Sequence, residues 1–511
     1  MAPLPSVQPR TGTRSETTIE PTTLAELDAA VASARSAFRE LGRLGRAWRA
    51  DLLRAMAAEL EARSAEITET ADAETGLGLP RLTGELTRTC YQLRFFAGVV
   101  DEGGYLEAAV DHAGDTPMGP RPDLRRMLVP LGPVAVFGAS NFPLAFSVPG
   151  GDTAAALAAG CPVIVKAHEL HPLTSRLCGE ALAAAATAAG APRGAVSVCF
   201  GREIGAPLVT HPGITAVGFT GSATGGRALL DLVNRRPDPI PFYGELAGVN
   251  PLVVTPAAAG ERAEDIGNGL AASFTLGAGQ FCTKPGLAFV PRTPSGDALV
   301  AALGRAAGNT ASQVLLGEGI LAAFTADADR LASLPSVTTI AKGGEAGTAG
   351  FLATPRVLGV EAGDLAESAD ILARECFGPL VVVVRYRDHA ELLTALGGIE
   401  PSLTATVHLG DGEAESGEAD ELLEGLLALS GRLVFDGYPT GVAVSWAQHH
   451  GGPWPSTSSI HTSVGATAIR RFLRPRAWQS APEAVLPPEL REGGTGIPRR
   501  VDGVLTLPGE D

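Results

Sequence analysis

The sequence predicts an α/β protein with two large lobes, and three observations carry that reading. Four short, nearly continuous apolar runs lie between residues 133 and 220, separated by alanine-rich helical stretches; this is the pattern of a parallel sheet covered on both faces. A second mixed region follows residue 250 and holds one thiol, Cys282, in a glycine-flanked turn. The chain of 511 residues is too long for a single ordinary core.

Taken in order, the first roughly twenty residues are polar and threonine-rich and read as an extended arm. From Thr23 to about Ala73 the apolar residues recur at helical spacing, predicting two amphipathic helices. A third helix is expected from Arg81 to Val100, and the Gly, Pro and Asp content of 103–123 predicts a connection or a small hairpin. The four apolar runs, 133–138, 161–166, 195–200 and 215–220, are the expected strands. Residues 152–159, 172–188 and 204–210 are the helices between them. Beyond Cys282, residues 290–368 mix helix and strand, and 375–384 reads as a turn entering a buried strand. The tail from Ala481 is either an arm on a partner subunit or a surface loop.

Composition narrows the function. With 45% hydrophobic and 19% charged residues the chain fits a soluble globular protein. A net charge of −16 argues against nucleic acid and anionic membrane as partners. Six scattered cysteines without CxxC spacing argue against a disulfide framework or a metal site and for a reducing compartment. The start, Met1-Ala2-Pro3-Leu4, has no leader pattern, so the expected location is the cytoplasm.

In parallel sheets ligands bind at the carboxyl ends of the strands. There stand Asn141 and Phe142 after the first run, Lys166 and Glu169 after the second, Arg202 after the third, and Thr220-Gly221-Ser222 after the fourth. A lysine at a strand end can meet ribose hydroxyls or phosphate, or can simply be solvated. The glycine-rich turn suits a pyrophosphate at a helix start, yet such turns often reflect only tight packing. Glu245 lies in a segment of small and apolar residues. An uncompensated carboxylate there would have a raised pKa suited to a general base. Cys282 can be a nucleophile, its glycine neighbours admitting a carbonyl close to the backbone; a lone cysteine is otherwise a small buried hydrophobe. His449, His450 and His461 lack carboxylate or cysteine partners at ligand spacing and read as loop histidines. Phe142, Phe281, Trp446 and Trp454 are candidate walls of a substrate tunnel, or core aromatics.

In sequence, Phe219-Thr220-Gly221-Ser222, Glu245-Leu246-Ala247-Gly248, Gly279-Gln280-Phe281-Cys282 and Glu375-Cys376-Phe377-Gly378-Pro379 resemble the aldehyde dehydrogenase superfamily. Lys166-Ala167-His168, residues 435–442 and His450-Gly451-Gly452-Pro453 resemble its α-ketoglutarate semialdehyde branch, which includes an NADP-dependent fatty aldehyde dehydrogenase. The resemblance implies a Rossmann-like cofactor domain (1–105 and 127–247), an α/β catalytic domain (248–440) and an oligomerisation element (106–126 with 441–511). It implies Cys282 as nucleophile, Glu245 as the base for hydrolytic water and Asn141 as oxyanion donor. Lys166 and Ser222 then meet the cofactor, Glu375 holds the nicotinamide ribose, and Phe377 lies beside the ring. The motifs depart from the family at Ala247, Val249 and Cys376. Expected are NAD(P)-dependent oxidation of an aldehyde to an acid, no metal, and a homodimer. Arg202 favours NADP, whereas Glu169 faces the adenosine ribose as in relatives that use NAD. Other aldehydes, acyl transfer to coenzyme A and a catalytically silent relative are the alternatives.

Overall fold

The computed structural model describes residues 2–508 except 247, 346, 348, 494 and 495, so the Ala247 departure lies outside the described residues. The N-terminal arm contains a short antiparallel pair, Ser6–Gln8 with Thr13–Ser15, ahead of the first helix. That helix, α1 (Leu24–Ala62), starts on a Thr23 capping box with Glu26 and is broken at Gly45, where φ is 80°. A second helix, α2 (Ser64–Thr75), ends on left-handed Gly76, and α3 follows (Leu79–Glu102). Two expected helices are therefore three helical segments, because Gly45 supplies a backbone conformation that other residues resist.

The four expected strands form as β1 (Val134–Phe137), β2 (Val163–Lys166), β3 (Val196–Cys199) and β4 (Ala216–Thr220). Helices α4 (Gly151–Ala159), α5 (Pro172–Ala188) and α6 (Gly205–Thr210) connect them, and α7 (Ala223–Asn234) leads to β5 (Phe242–Glu245). The order is β5-β4-β1-β2-β3, all parallel. One apolar cluster packs around Val134, Val163, Leu182 and Phe96, and a second around Phe137, Ile164, Val217 and Phe242. All five carboxyl ends consequently open on one edge.

The chain then enters a seven-stranded sheet through β6 (Leu252–Val254) and α8 (Pro256–Thr275). Its further strands are β7 (Leu287–Pro291), β8 (Thr338–Lys342), β9 (Arg356–Glu361), β10 (Leu380–Tyr386), β11 (Ser402–His408) and β12 (Ser430–Phe435). The order is β8-β9-β10-β7-β6-β11-β12, with only the β8–β9 pair antiparallel.

A third sheet joins 109–111 and 124–130 to 473–479, 499–501 and 504–506. The tail is thus an ordered part of this chain's own sheet, with Val504 and Leu505 exposed on its edge strand. No helix among the described residues is long and apolar enough to cross a membrane.

Candidate active site

Cys282 follows a turn of four residues, Leu276–Gly279, at the end of α8. Gly279 has φ +68°, and a Cβ there would lie 2.2 Å from the Gly378 carbonyl oxygen. The thiol's loop and the Glu375–Pro379 turn therefore touch backbone to backbone, an approach open only to glycine. Asn250 pins the other side of the loop. Its Nδ2 donates to the carbonyls of Cys282 (2.8 Å) and Lys284 (3.1 Å), while its Oδ1 accepts from Thr404 on β11.

Asn141, buried beyond the end of β1, donates from Nδ2 to the Gln280 carbonyl at 2.9 Å. Its own carbonyl accepts from Arg81 Nη2 at 2.7 Å. The Arg81 guanidinium lies 5.1 and 4.9 Å from the ring centres of Phe142 and Phe281, which pack edge to face at 5.3 Å. Phe142 and Phe281 thus stand together beside the thiol loop. Trp446 does not join them: it is exposed and packs edge-on against Phe95. Trp454 is also exposed, with Arg227 over its ring.

Glu245 ends β5 and is 3% exposed. Its Oε1 lies 3.0 Å from His450 Nε2, and Oε2 accepts from Ser463 Oγ at 2.6 Å. His450 Nε2 is in turn 3.6 Å from Cys282 Sγ. Residues 456–458 run beside β5 through Leu246 N to Ser456 O (2.8 Å) and Ser458 N to Gly244 O (3.0 Å), which carries the histidine in. Two expectations are corrected here. Glu245 is not uncompensated: burial pushes its carboxyl up, but the His450 charge and hydrogen bonds from His450, Ser463 and Cys282 hold it below the usual range. His450 is not a loop histidine without partners, since carboxylate and thiol ligand atoms lie with its nitrogen within 4.8 Å of one another. Spacing along the chain hid this, because Glu245 is 205 positions away.

His450 Nδ1 is buried without a partner. The ring nitrogen that faces Glu245 and Cys282 is therefore Nε2 alone. Burial first, and then the Glu245 carboxylate, push the Cys282 thiol well above its usual range. The resting sulfur is a thiol whose proton has an acceptor beside it.

The cofactor candidates line the strand ends of the first sheet. Lys166, on the last position of β2, forms a close ion pair with Glu169. Arg202, exposed beyond β3, has no ion-pair partner among the described residues. Thr220 lies in register with Glu245. Ser222 caps α7, its Oγ accepting from Gly225 N at 3.2 Å. The neighbouring glycines serve packing: a Cβ on Gly221 would be 2.8 Å from Phe219 Cζ, and one on Gly226 2.1 Å from Leu246 Cδ2. Glu375 is half-buried, and burial, opposed by the Lys284 ammonium, brings its carboxyl to about 7. Phe377 is half-buried two residues on. Cationic groups and a helix start along one edge suit a dinucleotide. His450 was considered in the sequence only as a loop histidine, and Ser463 and Asn250 were not singled out. The His450-Gly451-Gly452 stretch was the only available signal.

The Aldehyde dehydrogenase family matches residues 2–421. The chain is 47% identical over 486 residues to alpha-ketoglutaric semialdehyde dehydrogenase 2 of Azospirillum brasilense, covering 94% of this chain and 91% of that one. It is 43% identical to the alpha-ketoglutaric semialdehyde dehydrogenase of Acinetobacter baylyi, covering 95% and 92%. In fold it resembles a variant of aldehyde dehydrogenase C from Pseudomonas syringae solved with NAD+ and octanal, with TM-score 0.78, 20% identity and 94% of both chains covered. The chain belongs to the aldehyde dehydrogenase family and is an NAD(P)-dependent aldehyde dehydrogenase.

Proposed function

We propose that the protein oxidises α-ketoglutarate semialdehyde to α-ketoglutarate through a thioester on Cys282, using NADP in preference to NAD. The observation that carries the chemistry is the buried contact of a thiol, a carboxylate and an imidazole beside the Asn141 amide. The substrate rests on the printed names of the two relatives.

The aldehyde carbon is attacked by Cys282 Sγ while the thiol proton passes to the Glu245–His450 pair, which gives it up to solvent before hydrolysis begins. The second Nδ2 hydrogen of Asn141 and the Cys282 N–H, which no other described backbone group engages, hold the oxyanion; losing one such donor costs about 3 kcal/mol. Bound nicotinamide supplies the hydride acceptor, and Lys166, Arg202, Ser222 and Glu375 would hold that cofactor, with Phe377 beside the ring. Collapse of the adduct leaves the acyl group on sulfur. Glu245, kept ionised by His450 and Ser463, takes a proton from water, which attacks the thioester and releases the acid.

The NADP preference rests on two features. Glu169 is held by Lys166, and Arg202 keeps a free guanidinium for a 2′-phosphate. The exposed apolar edge strand near Val504 supports a homodimer, and six free thiols support a cytoplasmic location. The test is a steady-state comparison of NADP and NAD with the semialdehyde, a long aliphatic aldehyde and benzaldehyde, with Cys282→Ala as control. A kcat/KM for the semialdehyde at least about tenfold above the others, roughly 1.4 kcal/mol, supports the substrate; a higher value for either competitor overturns it.

A further inference from the structure

Asn141 lies on the connection 138–150 between β1 and α4, a stretch with no helix or strand of its own. A side chain on such a connection is held only as well as the backbone that carries it. Three backbone groups there, Asn141 O, Leu144 N and Ala145 N, have no backbone partner among the described residues. All three are engaged by two side chains of α3. Arg81 Nη2 donates to the Asn141 carbonyl at 2.7 Å, and Glu85 Oε1 accepts from Leu144 N at 2.8 Å and from Ala145 N at 2.9 Å.

Arg81 and Glu85 stand one turn apart on one face of α3. The same helix buries Leu82, Leu86 and Leu93 in the core, so the two side chains project from a fixed support. Arg81 Nη1 and Glu85 Oε2 are buried without a hydrogen-bond partner; the opposite charges grip the connection and not each other. Stability alone would favour apolar side chains at such positions over charges left partly unmatched. The Arg81 guanidinium also lies 5.1 Å from the ring centre of Phe142 and 4.9 Å from that of Phe281. It thus touches the residue after Asn141 and the residue before Cys282, while the Asn141 amide itself donates to the Gln280 carbonyl. One cation meets both segments between which an oxyanion would form.

We propose that Arg81 and Glu85 are positioning residues for the reaction, fixing the 141–145 backbone so that the Asn141 amide can reach the Gln280 carbonyl and the oxyanion together. Such a donor acts only from a preorganised place, and a displacement of about 1 Å costs on the order of 100-fold. This rests on the reading of Asn141 as the oxyanion donor.

The test is a double-mutant cycle on the full-length enzyme with saturating NADP and with pentanal, an uncharged aldehyde, so that no substrate charge is at issue. Arg81→Met and Glu85→Leu should each lower kcat by about 30- to 100-fold and leave KM for pentanal within about threefold. In the Asn141→Ala background the same substitutions should cost less than about threefold more, because the donor they place is already gone. Arg81→Lys and Glu85→Gln, which keep a donor and an acceptor, should recover part of the loss; if the larger changes do not fold by circular dichroism, the cycle is closed with these two. Losses that multiply fully with an impaired Asn141→Ala would show a general structural role and overturn the positioning role alone, as would a change confined to KM. An Asn141→Ala enzyme as active as wild type would overturn the oxyanion-donor reading and this proposal with it.

Discussion

The strand-end edge of the first sheet and the Cys282 cluster are built on different principles. Along the edge, Lys166, Glu169, Arg202 and Ser222 come from consecutive strand-to-helix turns within one stretch of chain, and all but the buried Lys166 keep contact with solvent. Their interactions are local: Lys166 pairs three residues on, and Ser222 caps its own helix. The cluster brings together Asn141, Glu245, Cys282 and His450, from four separated segments. Of these only Cys282 escapes full burial. Recognition can be tuned one residue at a time on the first region. In the second, the protonation of Cys282 and Glu245 depends on the groups packed against them.

That contrast can be broken or sharpened by substitution. Cys282→Ala should lower kcat/KM by at least about 10⁴-fold with correct folding by circular dichroism; substantial residual turnover would remove the nucleophile assignment. Glu245→Gln should cost about 10²- to 10⁴-fold in turnover. Rapid-mixing experiments should then show a burst of reduced nicotinamide followed by a slow phase, because acylation outruns hydrolysis. His450→Asn should cost on the order of 10- to 100-fold and move the acid limb of the pH–rate profile to higher pH. The sign follows from the carboxylate. His450 holds Glu245 below its usual range, so without it Glu245 must reach a higher pH before it is ionised and able to act as base. An unmoved limb would show that the pair is not coupled. On the edge, Glu169→Gln should raise the ratio of kcat/KM for NADP over NAD by only about tenfold, by removing one carboxylate near the phosphate. A fall in that ratio would mean that Glu169 acts by positioning Lys166.

Glu169 and Lys166 also show why the edge was legible. The alternation of apolar runs with helical stretches places them at a carboxyl strand end by itself, because parallel strands joined by helices leave no other arrangement. The motifs around Cys282, Glu245 and Glu375 identified the family, and the thiol, the carboxylate and the Asn141 amide were each named as candidates from the sequence. Their mutual state was not legible. Glu245 reads along the chain as an isolated acid in an apolar segment, with its pKa raised. In space it is an acid held ionised, because residues 456–463 fold back along β5 and deliver His450 and Ser463.

By itself, then, the sequence determined the parallel sheet, the thiol turn and the residues at the strand ends, since each depends on local periodicity, on glycine's conformational freedom or on a contiguous motif. Only the tertiary structure decided that His450 sits between thiol and carboxylate and that Trp446 stands apart from Phe142 and Phe281. Those facts depend on contacts between residues more than a hundred positions apart, such as the 168 separating Cys282 from His450, and local pattern carries no record of such distances.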